Sequence, residues 1–220
     1  MSDPMGFLLW TKGPMFDWAL TIFAIGVFAR IVEIFMLGRK HNYAAPKGGE
    51  WGPGFRTMIT RTVADTGTFA RAPFDVVLGI VWHVGFLIVL LLFIPHIELI
   101  NSVLGLGWPG LPNPVVDAIS AVTVVALIAV LVHRITHPVK KYISTVEDYL
   151  MWIVTFLPLV TGYLAYHRLI NPYPLALGLH IFSVEIFLIV LPFTKLTHIF
   201  TAFIARWYNG ATFGRKGVES

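Results

Sequence analysis

Five long apolar runs, separated by short polar segments, dominate the chain. They extend from Phe16 to Leu37, Phe74 to Ile97, Val115 to Val132, Tyr149 to Tyr166 and Leu175 to Ala205. A helix rises 1.5 Å per residue, so about 20 apolar residues cross the hydrocarbon core of a bilayer, which is about 30 Å thick. Backbone polar groups in hydrocarbon must be satisfied internally, which leaves helices as the element these runs can form. The pattern predicts an all-α integral membrane bundle of five helices, with residues 1–220 as one domain. The N-terminus has no basic segment ahead of an apolar one, so no cleavable signal peptide is expected.

Lys and Arg are distributed unevenly between the two ends of this bundle. The segment after the first run holds Arg39, Lys40, Lys47, Arg56, Arg61 and Arg71, the segment after the third holds Arg134, Lys140 and Lys141, and the tail holds Arg206, Arg215 and Lys216. The opposite end has only Lys12 and Arg168. Positive charge is retained on the cytoplasmic side, so the N-terminus is expected outside and the C-terminus in the cytoplasm. The 38–73 segment then becomes a cytoplasmic loop, rich in Gly and Pro at first, with a short amphipathic helix expected over Phe55–Asp65. A long ordered loop of this kind fits contact with a soluble partner, and its charge also fits anionic membrane lipid.

Composition narrows the chemistry. Hydrophobic residues make up 56% and charged residues 13%, against about 25% charged in a soluble domain, which excludes a disordered or nucleic-acid-binding protein. The chain has no cysteine. Disulfides, thiolate zinc sites, protein-ligated iron–sulfur clusters and covalent haem attachment are thereby excluded. A redox cofactor in this chain must be held by histidine, methionine or carboxylate, and the methionines show no useful spacing.

Eight histidines in so apolar a chain call for an account. His41 and His137 fall in basic loops, and His133 and His167 end the third and fourth runs. The other four fall on two runs: His83 and His96 on the second, His180 and His198 on the fifth. His180 and His198 are 18 residues apart, which on a continuous helix is about five turns and about 27 Å, on one face. The second run is antiparallel to the fifth, so His83 lies level with His198 on the inner side and His96 level with His180 on the outer side. Between His83 and His96 the helix turns by about 220°. His96 therefore reaches the interior only if Pro95, directly before it, bends the last turn. Two facing imidazole pairs are how helical bundles hold haem without thiolate. The pattern predicts two b haems, an inner one on His83 and His198 and an outer one on His96 and His180.

The stretch Leu191-Pro192-Phe193-Thr194-Lys195-Leu196-Thr197-His198, with His180 before it, resembles the last span of the gamma subunit of respiratory nitrate reductase, a five-span cytochrome b. Trp82-His83-Val84-Gly85 resembles that family's aromatic-His-x-Gly on its second span. Membrane cytochromes of heterodisulfide reductases, of sulfite-reductase-linked complexes and of some hydrogenases share these features. The resemblance implies that His83, His180 and His198 ligate haem and that Gly85 leaves room for the macrocycle. It further implies an outer quinone or quinol and a cytoplasmic iron–sulfur subunit as redox partners in a respiratory oxidoreductase of the prokaryotic cytoplasmic membrane. The family's second ligand on span two falls at Phe93 here, and His96 is the substitute. The family's outer-side lysine has no counterpart in the Asn101–Pro114 loop.

Arg30 and Glu33, three residues apart in the first run, fit a local ion pair. Alternatively, Arg30 and Lys195 bind haem propionates on the inner side. Glu185, within the fifth run, is expected to hydrogen-bond a neighbouring helix, with proton relay as its second reading. No catalytic nucleophile or substrate-site metal is evident, so the chain is expected to carry electrons for a catalytic partner. The competing readings are a haem-free anchor or transporter and a cytochrome with a single haem.

Overall fold

The computed structural model describes residues 3–38 and 43–218, so Arg39, Lys40 and His41 lie outside the described residues. All regular structure among the described residues is helical. Helix α1 (Pro4–Trp10) passes through a π-helical turn (Thr11–Met15) into α2 (Phe16–Met36). Then follow α3 (Trp51–Thr60), α4 (Thr66–Arg71), α5 (Pro73–Leu92), α6 (Ile94–Leu104), α7 (Asn113–Thr136), α8 (Pro138–Ile143), α9 (Val146–Tyr166), α10 (Tyr173–Val190) and α11 (His198–Arg215). Among the described residues five helical stretches are long and apolar enough to cross a membrane: Pro4–Met36, Pro73–Leu92, Asn113–Thr136, Val146–Tyr166 and Tyr173–Phe193. The first begins twelve residues earlier than the apolar run, because the helix continues through Lys12, Gly13 and Pro14 as a π turn.

Contacts divide the chain into two units. One takes the chain to Ala19 together with Pro73–Phe187, and the other takes Leu20–Ala72 with the chain from Leu188 onward.

The first unit buries small and hydroxylated residues beside apolar ones and leaves many large apolar side chains exposed. Val125 on α7 is 66% exposed, while Ser120 and Thr123 on the same helix, Thr155 on α9 and Ser183 on α10 are buried. Without a hydrophobic drive between helices in lipid, small and hydroxylated residues let backbones approach and pack. The buried hydroxyls are satisfied locally: Thr123 donates to the Ile119 carbonyl at 2.7 Å and Thr155 to Met151 at 2.8 Å. Gly85 of α5 is seated directly on Thr123, where an added Cβ would lie 1.9 Å from its Oγ1. Its absent side chain therefore serves the α5–α7 approach. Trp152 donates its indole N–H to the Leu127 carbonyl at 2.9 Å, tying α9 to α7. Phe86 meets Phe187 at 5.9 Å, bringing α5 to α10, and Gly178 of α10 admits the Phe7 ring of α1.

Helix α5 ends earlier than the apolar run. Phe93 turns extended (φ −81°, ψ 123°) and α6 restarts at Ile94 with Pro95 in its first turn. Proline has no N–H and its ring crowds the carbonyl four residues back, which here is that of Leu91. The freed carbonyls find other donors: Leu91 accepts from the Trp108 indole at 2.6 Å, Leu92 from the Leu111 N–H at 2.9 Å and Val89 from His96 Nδ1 at 2.9 Å.

In the second unit the expected fifth helix is also divided. It stops at Val190, and two 3-10 turns, Leu191–Phe193 and Lys195–Thr197, flank an extended Thr194 before α11 begins. Pro192, which supplies no N–H, causes the stop, so the uninterrupted five-turn register expected between His180 and His198 does not hold. Gly26 of α2 lies where a Cβ would touch Pro192 Cγ at 2.6 Å. Arg30 donates from Nε to the Pro192 carbonyl at 3.0 Å and from Nη1 to Glu33 Oε2 at 2.6 Å.

The loop helix forms at Trp51–Thr60, a few residues before the expected Phe55–Asp65, and packs on α11. A Cβ on Gly210 would meet the Pro53 carbonyl at 2.4 Å, and one on Gly214 the Gly49 carbonyl at 2.5 Å. Arg215 Nη1 donates to Glu50 at 3.0 Å. The 38–73 loop thus has the C-terminal helix of its own chain as a partner. Asp65 caps α4, accepting from the Thr68 hydroxyl and N–H, which hold its carboxyl below the usual aspartate value.

Candidate functional site

The break at Phe93 aims His96 at α10. The His96 and His180 rings lie 6.1 Å apart between centroids, within 22° of parallel. Metal–nitrogen bonds run about 2 Å, so two of them plus the ring radii span about 6 Å. The spacing suits two imidazoles on opposite sides of one metal atom.

Both rings are held by their Nδ1 atoms. His96 Nδ1 donates to the Val89 carbonyl, seven residues back across the break. Thr161 of α9 directs its hydroxyl proton to the Leu157 carbonyl at 2.6 Å, leaving its oxygen to accept from His180 Nδ1 at a long 3.4 Å. Ser183 lies 3.0 Å from the same Thr161 oxygen. A donated Nδ1–H leaves the Nε2 lone pair for a metal, and metal-ligating histidines are usually anchored in this way. Gly162 makes room for His180: a Cβ there would sit 2.9 Å from its Cε1.

His83 and His198 show the same local arrangement, each within its own unit. His83 Nδ1 donates to the Gly79 carbonyl at 2.7 Å, and His198 Nδ1 to the Lys195 carbonyl at 2.8 Å. Around Gly79, one turn before His83, the position of a Cβ meets nothing within 4 Å. Open space beside the second span therefore lies at Gly79, whereas Gly85 is closed by Thr123. Arg30 is engaged by Glu33 and by the Pro192 carbonyl, which uses two of its five donors. Among the described residues no three His, Cys, Asp or Glu side chains converge on a metal position. The His96–His180 pair offers two imidazole donors at a centroid spacing compatible with one metal atom between them.

His133 and His137 are peripheral. His133 Nε2 lies 3.4 Å from Asp75, to which Lys140 also donates. His167, expected to be peripheral too, has a partner that no sequence spacing signals: its Nε2 lies 2.7 Å from Asp117 Oδ1, fifty residues away. Glu185 is fully buried, and neither carboxyl oxygen has a hydrogen-bond partner, in contrast to the expected bond to a neighbouring helix.

No protein-family model matches the chain, and no solved structure matches it. It is similar to a protein of Nitratidesulfovibrio vulgaris whose name states no function, with 28% identity over 213 residues, 93% of this chain and 92% of that one.

Proposed function

We propose that the chain is a dihaem cytochrome b, the membrane subunit of a respiratory oxidoreductase, and the observation that carries this is the facing His96–His180 pair. A bound b haem supplies reversible one-electron chemistry between ferric and ferrous iron. The residues of the chain hold and tune it. His96 and His180 present Nε2, with their orientation fixed by the Val89 carbonyl and the Thr161 hydroxyl. His83 and His198 are the ligands of the second, inner haem, each with Nδ1 anchored on a carbonyl. The remaining donors of Arg30, together with Lys195, face the task of binding propionates. His96 and His180 are half-buried, whereas His83 and His198 are exposed.

Two haems, one toward each surface, make an electron path through an insulating layer. The excess of Lys and Arg at one end supports a chain with its N-terminus outside and its C-terminus in the cytoplasm, and the membrane of this proposal is a prokaryotic cytoplasmic one. The outer haem exchanges electrons with a quinone or quinol, and the inner haem with iron–sulfur clusters of a cytoplasmic subunit. The packed α3–α11 surface at the C-terminal end is where that subunit docks. Substrate chemistry belongs to the partner.

A pyridine haemochrome assay on the purified complex, corrected for haem in other subunits, tests this reading. The expected result is two b haems per chain in the parent and one in His96→Ala and in His180→Ala. One haem in the parent, unchanged by His96→Ala, leaves a single-haem cytochrome. None leaves a haem-free anchor, and either outcome overturns the dihaem reading.

A further inference from the structure

The Asp117–His167 pair sits where the N-terminal end of α7 meets the C-terminal end of α9, with side chains 29% and 33% exposed. It stands at the end of a continuous line of rings. His167 contacts Tyr166 at 5.2 Å between centroids, Tyr166 contacts Phe93 at 5.8 Å, Phe93 contacts His96 at 5.1 Å, and His96 faces His180. Tyr163 flanks His167 at 4.4 Å. An imidazole–carboxylate pair, about one-third open to solvent, walled by two tyrosines and joined by two rings to a proposed redox centre, has the parts that a donor of both protons and electrons requires.

We infer that His167 and Asp117 form the proton-accepting site for a hydroquinone that docks against Tyr163 and Tyr166. This rests on the proposed haem at His96 and His180. His167 Nε2–H donates to Asp117, which leaves Nδ1 as the base, and the carboxylate stabilises the imidazolium that forms. A hydroquinone becomes a quinone by losing two protons and two electrons. Each O–H bond breaks heterolytically, and its proton goes to His167 Nδ1 and from there to water, one after the other. A haem held by His96 and His180 would be the one-electron acceptor, taking the two electrons one at a time. His167 is the catalytic residue, because it touches the substrate, and Asp117 is a positioning residue acting through it. A protein electron donor carries no such proton and has no use for the pair.

The test uses the purified full chain in lipid nanodiscs, as the parent and as His167→Gln, Asp117→Asn and Asp117→Glu. Reduction by duroquinol is followed in the visible spectrum, and binding of 2-hydroxy-1,4-naphthoquinone is followed by calorimetry. His167→Gln and Asp117→Asn are expected to slow duroquinol reduction at least tenfold and to weaken quinone binding, while dithionite-reducible haem stays at the parent level. Asp117→Glu is expected to recover part of the rate, which a merely structural contact does not predict. Parent-like duroquinol reduction and quinone binding in His167→Gln overturn the inference, as does a haem-loaded parent that duroquinol fails to reduce but a soluble c-type cytochrome does. If the parent holds no haem, the dihaem reading has failed. The binding arm then still decides: quinone binding lost in His167→Gln supports the site, and binding unchanged removes it.

Discussion

Trp108 donates its indole N–H to the Leu91 carbonyl at 2.6 Å, and this bond holds the backbone break that brings His96 to His180. Leu91 is the carbonyl that Pro95 cannot serve, and the indole supplies the donor that the helix lacks there. Leaving such a group unpaired costs about 1–3 kcal/mol. Trp108→Phe keeps the ring and removes the donor. The expected result is a loss of about 1–2 kcal/mol in denaturant unfolding, together with weaker retention of the proposed outer haem. Parent-level stability and haem content in the variant would show that the break is held by something else.

The number and order of the five spans were readable because hydropathy alone sets them, and the break at Phe93 was signalled by Pro95 within an otherwise apolar run. The division of the fifth run was concealed: Leu191, Pro192 and Phe193 are all apolar, so a window of hydropathy passes over the proline that stops α10. The start of the first helix was misplaced for the opposite reason, since Lys12, Gly13 and Pro14 read as a boundary although the chain absorbs them in a π turn. Contacts between distant residues left no trace. Neither the seat of Gly85 on Thr123 nor the Asp117–His167 bond follows from any periodicity, because helix phase fixes a face and not the residue that meets it.

Gly85 gives a clean test of that distinction. Thr123 is fully buried with its hydroxyl tied to the Ile119 carbonyl, so it has little freedom to move away from a new methyl. Overpacking of this kind costs about 1–3 kcal/mol. Gly85→Ala is expected to destabilise the protein by that amount, and Thr123→Ala in the same chain to restore most of it. A double-mutant cycle on unfolding free energies reads the coupling. If Gly85→Ala instead strips haem, and Thr123→Ala gives no rescue, the glycine borders the macrocycle after all.

Asp65 predicts a pH response confined to α4. The Thr68 hydroxyl and N–H favour the ionised carboxyl and lower its pKa in the folded chain. A lowered carboxylate contributes stability above its unfolded pKa and loses it as pH falls through the folded value. The backbone resonances of Thr66–Arg71 should therefore hold steady on mild acidification and move together only below the range in which a free aspartate titrates. In Asp65→Asn that transition is absent. A transition at the ordinary aspartate value in the parent would mean that the cap is not formed.

Glu185 poses the converse problem, a carboxyl with no partner. Both oxygens are buried without a hydrogen bond in the middle of α10, five residues beyond His180. A charge left there costs several kcal/mol, and even an uncharged polar group without a partner costs about 1–3 kcal/mol. Methionine has similar volume and flexibility and no group to satisfy. Glu185→Met is therefore expected to raise the unfolding free energy by about 1–2 kcal/mol in nanodiscs. Glu185→Gln, which keeps a polar group in the same place, leaves it near the parent value. If the proposed electron transfer is coupled to proton relay through Glu185, the stabilised Glu185→Met chain transfers electrons more slowly than the parent. A Glu185→Met chain that is less stable than the parent would mean that the carboxyl has a partner in the assembled protein.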